Sequence, residues 1–167
     1  MSLFTHRRAE FSPCRTYRYW LEIRWDHREE LPWLGWMLLN PSTADEINDD
    51  PTLRKVQKFA RDRGFGGIIV CNVYALRSTD PRGLWKVDDP SGGDNDIWHE
   101  ELRNRVTKIV AGWGRHARQA EVDHLLGIVP NLDCLKVNAD GSPMHPLYVR
   151  ADTPFVPYAR DGKLVGQ

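Results

Sequence analysis

Two asparagines, a histidine and a run of acids stand out in this chain by where they fall. Asn40 directly follows an apolar run and opens the turn Asn40-Pro41-Ser42, and Asp45, Glu46, Asp49 and Asp50 come next. A group there, Asn40 or Asp45 above all, could position a water or act as a general base. Turn chemistry explains the same residues differently. Asn-Pro starts turns, Ser42 or Thr43 can cap backbone donors, and Asp50 before Pro51 reads as a helix N-cap. Asn72 is the sharper anomaly, because it interrupts Ile68-Ile69-Val70-Cys71 and Val73. An unpaired amide in such a run costs on the order of 1–3 kcal/mol. An amide carries both a donor and an acceptor, so it can read the imide edge of a pyrimidine, unless neighbouring backbone satisfies it. Trp113, between Gly112 and Gly114, could stack on a base or be a buried aromatic. His145, before Pro146, could donate to developing negative charge or be structural. Ser42 and Arg77, in the same set of turns, are further candidates for contacting a substrate.

What must position these groups is a set of short apolar strands. Residues 17–25 and 33–39 read as strands joined by a charged turn, and hence as an N-terminal β-hairpin. Asp50-Pro51 opens a helix on which Leu53, Val56, Phe59 and Ala60 recur at helical spacing, closed by residues 64–67. Residues 68–76, 108–112 and 132–137 read as three further buried strands, with helices over 96–106 and 118–126 between them. A long loop spans 77–94, and the tail from 138 onward, with prolines at 143, 146, 154 and 157, reads as loop. This alternation predicts one domain over 1–167. Its fold class is α/β, a three-layer α/β/α sandwich with a mainly parallel central sheet plus the N-terminal hairpin. In such a sheet ligands bind at the carboxyl ends of the strands. Turns after 39, 72, 112 and 144 would therefore deliver their polar residues to one edge.

Composition narrows the function classes. Lys plus Arg equals Asp plus Glu at 23 each in 167 residues, so the overall field is neutral. A dedicated duplex-DNA binder normally carries a basic excess, so weight moves toward small ligands or single nucleotides. Three widely spaced cysteines with no C-x-x-C pair argue against a zinc or iron–sulfur site and against a disulfide framework. No Walker loop, G-x-G-x-x-G, G-x-S-x-G or H-E-x-x-H is present, so neither a cofactor nor a metal is expected. The first residues lack the apolar stretch of a signal peptide and no run approaches spanning length, so the expectation is a cytoplasmic protein with no membrane partner.

The chain resembles a bacterial and phage family catalogued as domain of unknown function 1643. The resemblance rests on the segments 37–45, 49–54, 72–81, 94–96, 111–114 and 145–148 and covers nearly the whole chain. In the order of its motifs it is also similar, more remotely, to the uracil-DNA glycosylase superfamily. That similarity implies a glycosylase-like fold in which Asn40 or Asp45 positions water, Asn72 reads the base and His145 donates to the departing base. The first turn here is Asn-Pro-Ser rather than glycine-containing, and Leu147 stands where glycosylases commonly have serine.

Three functions follow as expectations. The first is a glycosylase-like domain acting on or binding a nucleobase, as a free nucleotide or in nucleic acid; if it is catalytic, it is an N-glycosidic-bond hydrolase. The second is a binding module without turnover. The third is an enzyme of modified-nucleotide metabolism.

Overall fold

A computed structural model describes residues 5–43 and 49–159. Their fold is α/β, built on a seven-stranded mixed sheet. The strands are β1 (His6–Phe11), β2 (Arg18–Arg24), β3 (Trp33–Leu38), β4 (Gly67–Asn72), β5 (Ile109–Ala111), β6 (Leu132–Cys134) and β7 (Val156–Tyr158). Three α-helices, α1 (Pro51–Arg61), α2 (Asn95–Arg105) and α3 (Gln119–Ile128), connect the middle strands. Short 3-10 turns occupy Pro81–Lys86 and Pro146–Tyr148. No described helix is long and apolar enough to cross a membrane.

The sheet order is β1-β2-β4-β3-β5-β6-β7. β4, β3, β5 and β6 are parallel neighbours. Antiparallel strands close both ends, β1 and β2 on one side and β7 on the other. Half of the six pairings are therefore parallel, and the sheet is mixed rather than mainly parallel. The hairpin expectation needs a second correction. β2 pairs with β1 and β4, not with β3. β3 is nearly continuous in apolar residues because helices cover both faces of the parallel part of the sheet. The charged loop after β2 therefore carries the chain past β4 before β3 begins.

α1 forms where Asp50-Pro51 predicted it. The Asp50 carboxylate accepts the Leu53 N–H at 2.8 Å, and Pro51 fills a first-turn position whose missing N–H costs nothing. Its Leu53, Val56, Phe59 and Ala60 are buried with Leu34, Trp36 and Leu38 of β3 and Ile68 and Val70 of β4. The alternate β3 and β4 residues, Met37, Ile69 and Cys71, and Leu39 just after β3, are buried instead with Leu102 of α2 and Val122, Leu125 and Leu126 of α3. Period-2 alternation thus sends the two sets to opposite faces of the sheet. From β3 the chain moves one way to β4 and then back across to β5. Right-handed crossovers in opposite directions put their helices on opposite faces. Each buried aliphatic or aromatic side chain contributes roughly 1.5–3 kcal/mol, so these two faces hold the strand ends rigidly.

Candidate functional site

The reversal of direction at β3 leaves a crevice beyond the carboxyl ends of the parallel strands. A cavity of about 950 Å3 lies there, next to the first turn of α1. It receives Asn40 and Ser42 from the end of β3, Asn72 from β4, Trp113 from β5 and His145 from the loop after β6. Arg77 is not on its wall: its guanidinium donates to the Arg15 carbonyl at 3.1 Å and lies over the Phe11 ring. Asp45 lies outside the described residues. Of the neighbouring acids, Asp49 is engaged by Arg7 at 2.7 Å and by Gln57 at 2.6 Å, whereas Asp50 lines the cavity.

Asn72 ends β4 rather than interrupting it, because the strand stops there and beyond it only Leu76 bridges again, to Tyr17. Its backbone carbonyl accepts from Asn95 Nδ2 at 3.1 Å and from His99 Nε2 at 2.8 Å, so α2 fixes the strand end. Its side chain is 2% exposed, and Nδ2 has no partner. Buried polar atoms are normally paired, so an orphan donor on a residue that lines the cavity is the feature a bound acceptor explains.

Asn40 is used differently. Its Nδ2 donates to the Ser78 carbonyl at 2.7 Å and to the Pro41 carbonyl at 3.1 Å. This amide staples the loop after β3 to the loop after β4. Ser42 donates to Asp50 Oδ2 at 2.9 Å, while Asp50 Oδ1 caps α1. Both oxygens of the one described carboxylate on the wall are therefore engaged.

His145 is half-buried beside these groups. Its Nδ1 accepts the Leu147 N–H at 3.2 Å, which fixes the neutral tautomer with the proton on Nε2. Burial lowers its pKa below the ordinary value, with Asp50 acting weakly in the opposite sense. The ring is thus a neutral donor at physiological pH. Gly112 makes this position accessible: a Cβ there would meet Pro146 Cδ at 2.9 Å and Leu38 Cδ2 at 3.2 Å. Trp113 itself is 2% exposed and packs edge-on to Tyr158 at 5.6 Å, so its ring belongs to the core and contributes only an edge to the wall. Tyr148, 80% exposed and tilted against His145, is the aromatic nearest solvent at the rim.

One wall residue escaped the sequence reading. Arg18 opens β2, and because β2 runs antiparallel to β4, its start lies at the carboxyl edge of the parallel strands. A register shift places Glu10 opposite Trp20 and Phe11 opposite Arg18, leaving Tyr19 without a cross-strand partner. This bulge turns Arg18 away from the Trp20 side and onto the cavity, beside Leu38 and Val70. Nothing in the local sequence signals a bulge. Among the described residues no three His, Cys, Asp or Glu side chains gather as a metal site.

The family model for proteins of unknown function (DUF1643) matches residues 18–147, and the chain belongs to that family. Comparison with curated proteins gives no match. The matched span begins at Arg18 and ends at Leu147, so it contains every described wall residue except Tyr148.

Proposed function

We propose that the cavity binds a nucleobase, carried by a free nucleoside or nucleotide or presented from a nucleic acid. The observation that carries this reading is the orphan Nδ2 of buried Asn72. Its amide offers a donor beside its own acceptor, the pair a pyrimidine imide edge needs. His145 Nε2–H supplies a second donor for a base carbonyl. The volume of about 950 Å3 falls within the range of roughly 300–1,000 Å3 usual for small-molecule sites. An α/β/α arrangement like that of the uracil-DNA glycosylases is the finer fold reading, supported by the parallel order β4-β3-β5-β6.

Among the described residues, the state of the wall carboxylate favours binding over glycosidic hydrolysis. In hydrolysis a water oxygen attacks the sugar carbon, the C–N bond breaks with its electron pair going to the base, and the water proton needs an acceptor. His145 could stabilise the departing base, but Asp50 already accepts from Ser42 and from Leu53 N–H. Asn40, one of the two residues expected to position water, spends its amide hydrogens on two carbonyls, and the other, Asp45, lies outside the described residues.

The test is calorimetry with free bases, nucleosides, nucleotides and uracil-containing oligonucleotides, together with an assay of base release. Asn72→Ala is expected to weaken binding by about 1–3 kcal/mol, since truncation leaves the base edge unpaired. Equal affinity of wild type and Asn72→Ala for every ligand would overturn the reading. Release of free base by the wild type would move the assignment from binding to hydrolysis.

A further inference from the structure

We propose that Arg18 forms an anion subsite within this cavity and holds the phosphate of a nucleoside monophosphate; the phosphate identity rests on the nucleobase reading above. Arg18 is 8% exposed, and its Nε is buried without a partner. Among the described residues its side chain makes no hydrogen bond and no ion pair. Two other arginines, buried Arg24 of β2 and half-buried Arg63 after α1, show what a structural arginine looks like, even though Arg24 Nη1 is itself unpaired. Arg24 donates to the Arg28 and Leu31 carbonyls and lies over Trp33. Arg63 donates to the Phe59, Ala151 and Thr153 carbonyls and stacks on Phe59 and Phe155. Arg18 has neither kind of support, although the bulge aims it at a cavity large enough for a ligand.

A guanidinium removed from water and left unpaired is unfavourable, and an oxyanion is the group that compensates it best. Its planar fork matches two oxygens of a phosphate in parallel hydrogen bonds. Burial lowers the pKa of Arg18 to about 10, which still leaves it fully charged near neutrality. Asp50 faces it across the wall but lies beyond ion-pair distance, with both oxygens committed elsewhere. The dipole of α1 is not the source of anion affinity, since the Asp50 carboxylate already occupies that helix end. Arg115, exposed at the rim, is the second arginine on the wall, against the single described carboxylate. Asn72 lines the same cavity, so its amide and the Arg18 guanidinium would serve one ligand.

The experiment uses the whole protein, melted and titrated with inorganic phosphate alone, with nucleoside and nucleoside-monophosphate pairs, and with a 5′-phosphorylated oligonucleotide. The wild type is expected to bind the monophosphate roughly 10- to 100-fold tighter than the nucleoside, the scale of charged hydrogen bonds. In Arg18→Gln that preference disappears, while nucleoside affinity stays within about twofold. Without ligand, Arg18→Met is expected to melt no lower than wild type, because an unpaired buried charge has gone. That result separates loss of binding from loss of fold. A phosphate preference that survives in Arg18→Gln overturns the subsite and leaves the nucleobase reading standing. If inorganic phosphate raises the wild-type melting temperature but not that of Arg18→Gln, and no nucleoside binds, the subsite stands and the nucleobase reading falls. A gain seen only with the oligonucleotide supports the subsite and makes a strand end the source of the phosphate. Absence of any phosphate effect on wild type overturns it.

Discussion

His99 and His145 are both held by main-chain groups, but from opposite sides of the ring. His99 donates Nε2–H to the Asn72 carbonyl at 2.8 Å, which leaves Nδ1 as a buried acceptor with no partner. His145 accepts the Leu147 N–H on Nδ1, which leaves Nε2–H free to donate. The first sits 3% exposed on α2, where it pins a strand end. The second sits on a short turn at a cavity wall. One residue type thus serves as a structural clamp in one place and as a presented donor in the other. The direction of a single backbone hydrogen bond decides which. Burial lowers the pKa of both, so burial alone does not distinguish them.

The largest expected effect tests the clamp. His99→Ala removes a bond to a buried carbonyl and empties a packed position, at a cost of about 2–4 kcal/mol in urea unfolding. His145→Ala is expected to leave stability nearly unchanged and to weaken ligand binding instead. Equal losses of stability in the two variants would erase the contrast.

Next in size is Gly112→Ala. Its new Cβ would strike Pro146 Cδ, and moving that turn displaces His145 with it. We expect a cost of about 1–3 kcal/mol, together with weaker binding. Unchanged ligand affinity would show that His145 does not need its present place.

A smaller effect is the dependence of stability on pH. Burial holds His99 below its usual value of 6.5 in the folded protein, so the unfolded chain takes up the proton first on acidification. The stability contributed by neutral His99 is full above about pH 6.5. It is lost as the pH falls through that value toward the folded one. Denaturation midpoints measured from pH 7.5 to 5 should therefore decline in wild type and decline less in His99→Gln. An identical slope in the two would sink the assignment.

The smallest effect is expected at the rim. Tyr148 is 80% exposed, so Tyr148→Ala should shift the melting temperature very little, while removing the ring beside His145. A large drop would place Tyr148 in the folding core rather than at the cavity mouth.

The residues most legible in the sequence were those whose local signals agreed with their tertiary setting. Asp50-Pro51 and the spacing of Leu53, Val56, Phe59 and Ala60 located α1, because capping and burial point the same way there. The apolar runs located four strands, because helices cover both faces of the parallel strands. β1 was not legible: His6-Arg7-Arg8-Ala9-Glu10-Phe11 is a charged edge strand, polar by necessity. β7 was hidden by Pro157, which an edge strand tolerates. The wrong partner for β2 followed from taking adjacency in sequence for adjacency in the sheet. In the cavity wall, Asn72 and His145 were visible because polar residues at strand ends contradict their surroundings. Arg18 was not, since only the bulge opposite Phe11 aims it. Arg77 looked equally suitable in sequence, but it folds outward onto Phe11 and the Arg15 carbonyl.

The central strand β3 has a consequence for the order in which the protein is made. Both of its parallel neighbours, β4 and β5, are synthesised after it, so it waits without sheet partners while they emerge. The cavity wall draws on residues from Arg18 to Tyr148, so the loop bearing His145 emerges from the ribosome after the strands that carry the rest of the wall. Pairings this distant in sequence close slowly. A nascent chain therefore holds β3 without sheet partners until β4 and then β5 have emerged, and completes the cavity wall only when the loop bearing His145 follows.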